Sequence, residues 1–181
     1  MNRTAQHYDA AARPLSAVLD AVPTAAWDRP SPCEGWTAAD VVAHLVSTQR
    51  EFLAQHGLAP EVVGLPAGDP AAAWREHAAA VAAVIADDEV TDRPFDGYFG
   101  PTTVGASFEQ FYIWDMLVHR WDLARATGAE AGLTEAELER IDAGADSFGP
   151  ALHSDGVCGP PVPVAPDAGR EARVLARLGR A

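Results

Sequence analysis

Ala106-Ser107-Phe108-Glu109-Gln110-Phe111-Tyr112-Ile113-Trp114-Asp115-Met116-Leu117-Val118-His119-Arg120-Trp121-Asp122-Leu123-Ala124-Arg125-Ala126-Thr127-Gly128 is the strongest helical stretch in the chain. Phe108, Phe111, Tyr112, Met116, Leu123 and Ala126 recur at helical spacings, and Gly128 is placed as a C-terminal stop. Asp115 and His119 stand four apart, so both project from one face a turn apart. Their apolar neighbours Tyr112, Met116 and Leu123 turn that face inward.

Further helices are predicted on either side. Tyr8, Ala12, Leu15, Leu19 and Val22 mark an amphipathic helix over about 5–21, with Pro14 inside it as a kink or a shifted start. Pro30, Pro32 and Gly35 make a loop, after which Thr37 and Asp40 resemble a capping box for a second helix. Val41, Leu45, Thr48 and Phe52 form its face and Gly57 ends it. Asp69-Pro70 offers an N-cap with proline at the first helical position, and a third helix runs to about Ala86 on Trp74, Ala78, Val81 and Ile85. Residues 87–105 are polar and turn-rich, with Asp96-Gly97 and Gly100-Pro101 as turn signals. Beyond Gly128, Thr134 and Glu137 form a capping box for a shorter helix ending near Phe148-Gly149-Pro150. Residues 150–167 are expected to be extended, and 170–178 to form a last short helix. Four long helices with almost no alternating pattern predict an all-α fold, a bundle of the up-and-down type with minimal strand content.

Composition bounds the function classes. A chain of 181 residues, 48% hydrophobic and 22% charged, is expected to form one domain over 1–181, a four-helix core at about 4–128 with a C-terminal extension at 129–181. Its formal charge of -13 argues against nucleic acid and anionic membrane as partners. Every basic residue is Arg, which removes lysine Schiff-base and P-loop chemistry and reads as a bias toward G+C-rich codons. Cys33 and Cys158 are too far apart for a spaced metal pair, and reduced thiols are the default. No signal-peptide pattern opens the chain and no run approaches the roughly 20 apolar residues of a membrane span, so a cytoplasmic location is expected.

A carboxylate and an imidazole on an inward helical face are costly unless they pair or bind a cation. His44, between Val41, Leu45 and Thr48 on the second helix, is the candidate third ligand beside Asp115 and His119. Two histidines and a carboxylate leave a position open to water or substrate, as in catalytic zinc sites. On spacing alone, the competing account is a hydrogen-bonded Asp-His pair within one helix and a core histidine on another.

Two stretches carry a family resemblance: Ser31-Pro32-Cys33-Glu34-Gly35-Trp36-Thr37-Ala38-Ala39-Asp40-Val41-Val42-Ala43-His44-Leu45-Val46, and Trp114 through Gly128 as quoted above. They resemble the DinB-like metal-binding family typified by the N-terminal domain of mycothiol-dependent maleylpyruvate isomerase. The ending, 162–168 with 175–180, is similar to that of its stand-alone subfamily. The resemblance implies a DinB-like four-helix bundle, with a short extra helix and an extended tail, holding one divalent ion, zinc or nickel. The ligand positions fall on His44, Asp115 and His119, with Asp115 where the isomerase uses Glu, one methylene longer.

Maleylpyruvate isomerisation itself is not carried over, because the isomerase has a separate C-terminal domain that contributes to its active site. The resemblance implies instead a metal-dependent transferase or isomerase acting on a small electrophile, with mycothiol as cosubstrate. Two alternatives stay open: a non-catalytic metal or small-molecule binding module, and a metal-dependent hydrolase or cyclase of secondary metabolism. A homodimer is compatible with such bundles, but the exposed faces do not decide it.

Other residues carry blander readings. His7, His56, His77 and His153 have no equivalent pairing, and His77 reads as a solvated or core histidine rather than a fourth ligand. Asp122 reads as the partner of Arg125 on its own helix, the sharper alternative being that it orients a neighbouring group. Cys33 lies just before the second helix, near a cavity mouth, and burial or plain exposure is its simplest role. Trp36 closes the entry turn, while Tyr98, Phe99 and Tyr112 are candidates for a pocket wall.

Overall fold

A computed structural model describes residues 1–59, 68–154 and 156–180, and the chain divides into two compact units, Met1–Ala131 and Gly132–Ala181. The first unit holds helices α1 (Arg3–Asp20), α2 (Ala38–Gln55), α3 (Pro70–Ile85), the single turn α4 (Asp88–Thr91), α5 (Val104–Phe108) and α6 (Trp114–Thr127). A π-helical turn, Glu109–Ile113, joins α5 to α6 without a break in the helix. Two four-residue strands, β1 (Pro94–Gly97) and β2 (Gly100–Thr103), pair antiparallel between α4 and α5. Among the described residues the fold is all-α apart from this hairpin, as the helical periodicity predicts.

Helix starts follow local chemistry. Thr37 and Asp40 form both arms of the expected capping box, satisfying two backbone N–H groups at the start of α2. Asp69 accepts from the Ala72 N–H, with Pro70 in the first turn of α3. Asn2 caps α1, which runs through Pro14. Gly128 ends α6 at φ +80°, in the left-handed region that glycine enters without steric cost.

The four long helices pack in a ring in which α1 and α2 each neighbour α3 and α6. Tyr8, Leu15, Leu45, Leu53, Trp74, Ile85, Phe108, Met116 and Leu123 fill the centre. Named contacts set the directions. Asn2 donates to the Ile85 carbonyl at one end of the α1–α3 pair, and Trp74 donates to Ser16 toward the other, so these two helices are antiparallel. His44 meets Asp115 while Phe52 meets Tyr112 and Phe108, so α2 and α6 are antiparallel too. His7 pairs with Glu109 near the start of α1, and Arg29, beyond its end, donates to the Thr127 carbonyl, so α1 and α6 run the same way. It follows that α2 and α3 also run the same way.

Simple up-and-down alternation is therefore corrected. Segment 87–105, expected to be polar and turn-rich, contains α4 and the hairpin. The turn signals Asp96-Gly97 and Gly100-Pro101 flank the Tyr98-Phe99 tip, with Gly97 opposite Gly100.

In the second unit, α7 (Glu135–Phe148) starts at the expected Thr134–Glu137 capping box and α8 is Arg170–Arg177. Arg177 reaches Asp142 and Asp146, Arg170 reaches Glu135, and Leu138, Ile141, Val174 and Leu175 are buried. A short 3-10 helix, Gly149–His153, opens the segment expected to be extended. No helix among the described residues is long and apolar enough to cross a membrane.

Candidate metal centre

Two helix segments and one turn build the site. The turn comes first: Ser31 N–H donates to the Trp36 carbonyl at 2.8 Å and Trp36 N–H to the Cys33 carbonyl at 3.1 Å, folding 31–36 against the start of α2. Gly35 holds φ +78° within it. His44 follows two turns into α2, whose first turn is locked by the capping box. From α6 come Asp115 and His119, immediately after the π turn.

The three expected ligands converge. Asp115 divides its oxygens between two rings: Oδ2 lies 3.1 Å from His44 Nε2, and Oδ1 lies 3.2 Å from His119 Nε2. The ring centroids of His44 and His119 are 5.1 Å apart. Side-chain exposure falls from 27% at His44 and 23% at Asp115 to 6% at His119, so His44 and Asp115 are the members that solvent reaches. Trp36 covers it, with its ring centroid 4.8 Å from that of His44 and 6.1 Å from that of His119.

Electrostatics couple the group tightly. Burial alone pushes the Asp115 carboxyl up, but the charge and hydrogen bond of His119, followed by those of His44, outweigh it and hold Asp115 below the usual carboxylate range. Burial pushes His119 down, yet Asp115, then Asp122 and Cys33, hold it well above the ordinary histidine value.

The donor set suits a first-row divalent ion. Two imidazole nitrogens and one carboxylate oxygen lie within 4.8 Å of one another. His44 Nε2 and His119 Nε2 face different oxygens of the one carboxylate, Oδ2 at 3.1 Å and Oδ1 at 3.2 Å. Two nitrogens with one oxygen suit zinc or nickel better than the all-oxygen preference of calcium or magnesium.

A second cluster shares His119. Its Nδ1 lies 2.8 Å from Asp122 Oδ2, to which the Cys33 thiol donates at 3.4 Å, and Cys33 Sγ is 3.9 Å from the same nitrogen. Asp122 therefore meets His119, contrary to the simpler expectation of an Arg125 partner, and Arg125 lies over the Trp121 ring, 5.5 Å from its centroid. Helical side chains lean toward the N-terminus, so a residue at i+3 leans back onto His119. The signal for Cys33 and Trp36 was their place in the turn before α2. Spacing along the chain does not reveal which helix that turn faces.

The remaining expected residues lie elsewhere. His77 is a core histidine, 3.0 Å from Gln49 Oε1, and is not a ligand. His7 is 2.7 Å from Glu109, a pairing that local spacing does not show, and His153 Nδ1 is 2.8 Å from the Gly159 carbonyl. Tyr98 and Phe99 are exposed at the hairpin tip. Tyr112 packs on Phe52 and Phe108, and burial, then Asp115 and Glu51, push its hydroxyl up to about 12. Residues 8–124 match the family model described as the mycothiol maleylpyruvate isomerase N-terminal domain. No curated protein and no solved structure matches the chain.

Proposed function

Because the chain belongs to the mycothiol maleylpyruvate isomerase N-terminal domain family, we propose that it is a divalent-metal-dependent enzyme that uses a small thiol of the mycothiol type in a transfer to, or isomerisation of, a small electrophile. One observation carries the reading: the open three-donor group of His44, Asp115 and His119 under Trp36. His44, Asp115 and His119 would hold the ion, with zinc the first choice and nickel the second. When bound, such an ion lowers the pKa of a coordinated thiol or water, or polarises a carbonyl.

The chain's own residues do the rest. Asp115 joins the two helices that carry the histidines. Trp36 shields the ring faces from water, which strengthens electrostatic contacts beneath it. In a transfer, the sulfur forms a new S–C bond as the thiol gives up its proton. The electron pair displaced on the electrophile then takes up a proton, so one thiol and one electrophile yield one adduct.

Elemental analysis, zinc titration and thiol-transfer assays over a panel of electrophiles test the proposal. Zinc should bind at one equivalent, and His44→Ala and His119→Ala should each lose binding and transfer together. Full activity in both variants would sink the metal mechanism. Metal-replete wild type that processes no electrophile would favour a binding module.

A further inference from the structure

We propose that Asp122 is the positioning residue of this centre and that the Cys33 thiol completes its hold on His119. The inference rests on the ligand assignment above and assigns roles to two residues outside it. Each imidazole nitrogen of His119 faces a different carboxylate: Nε2 meets Asp115 Oδ1 at 3.2 Å and Nδ1 meets Asp122 Oδ2 at 2.8 Å. An ionised carboxylate only accepts, so the Asp122 contact keeps the proton on Nδ1 and leaves the Nε2 lone pair for a cation.

The arrangement follows from one helix face. Asp115, His119 and Asp122 stand at i, i+4 and i+7 of α6, and their side chains lean toward its N-terminus. Asp122 thus leans onto His119, and His119 onto Asp115. Asp122 has a fully buried side chain, where a carboxylate needs donors to offset lost hydration. Cys33 supplies one of them, its S–H donating to the same Oδ2 that takes the His119 proton. Because Cys33 belongs to the turn before α2, this contact also ties the element carrying His44 to the one carrying His119.

The same three residues could be read as a second cation site, since their ligand atoms also cluster. The 2.8 Å between Nδ1 and Oδ2 is a hydrogen-bond length. It is shorter than the about 3.3 Å edge of tetrahedral coordination at N/O ligands. A proton between them accounts for the distance better than an ion.

The test combines zinc competition against a chromophoric chelator with long-range proton–nitrogen spectra of the metal-free protein. Asp122→Ala should bind zinc about 10- to 100-fold more weakly than wild type, and Asp122→Asn, which keeps an acceptor oxygen, should lose less. Cys33→Ala should weaken binding and Cys33→Ser, which keeps a donor, should restore it. In the spectra, the hydrogen-bonded Nδ1 proton of His119 should be present in wild type and lost in Asp122→Ala. Packing alone would not produce that signature.

Should Asp122→Ala fail to fold, Asp122→Asn and the two Cys33 variants still decide the matter through zinc affinity. Equal zinc affinity in wild type and the Asp122 variants, or an unchanged Nδ1 signal in Asp122→Ala, would overturn the proposal alone. Wild type that takes up no zinc would overturn the ligand assignment and the proposal with it.

Discussion

His77 and His119 show how burial and partners drive one residue type in opposite directions. His77 is fully buried beside Gln49 on α2, whose Oε1 also accepts from Tyr8 on α1; its burial, followed by the charge of Arg50, lowers it to about 4. Below pH 6.5 the unfolded chain takes up a proton that folded His77 refuses, so this residue makes stability fall as pH falls. The raised value of His119 acts the other way: its contribution is complete below the ordinary histidine value and is lost as pH rises through the folded one. His77 alone should cost about 2 kcal/mol between pH 7 and pH 5. Urea unfolding of wild type and His77→Leu at both values isolates it, and parallel pH dependences would refute the assignment. Helical spacing and inward faces made His44, Asp115 and His119 legible in the sequence. The Asp122–His119 contact was not, because residue spacing does not record the lean of helical side chains.

At the scale of elements, helix ends were the most legible features, since capping boxes at Thr37 and Thr134 and the stop at Gly128 are written in adjacent residues. The π turn at Glu109–Ile113 was hidden, because the apolar pattern on either side still reads as one helix. Glu109 anchors that turn to α1 through Thr4 at 2.8 Å and His7 at 2.7 Å. Burial pushes Glu109 up, but hydrogen bonds from His7 and Thr4 leave it below the ordinary carboxylate value. The hairpin was hidden for another reason: its strands are four residues long and include prolines. Gly105, ahead of the π turn, sits where an added Cβ would meet Thr4 Oγ1 at 2.8 Å and Thr91 Cβ at 2.9 Å. Gly105→Ala should therefore cost about 1–3 kcal/mol in urea unfolding, the ordinary price of overpacking, and an unchanged midpoint would show that α1 and α4 yield freely.

For the whole molecule, charge is the dominant global property. Twenty-six acidic residues against 13 basic ones repel one another in the compact state. Raising the ionic strength from about 0.01 M to about 0.15 M shortens the screening length from about 30 Å to about 8 Å, so the melting temperature should rise. A fall over that range in thermal unfolding would show that attractive pairs such as Arg177 with Asp142 and Asp146 outweigh the repulsion. The family match spans residues 8–124, within the unit that contains the bundle and both helices that carry the candidate ligands. The parallel course of α2 and α3 follows from contacts between residues far apart in the chain, which no periodic pattern encodes. Trp36 has an optical consequence: its indole lies over both candidate imidazole ligands. Cobalt or nickel held beneath it would quench its fluorescence by energy transfer while zinc would leave it bright, so its emission would report which ion, if added, enters the candidate site.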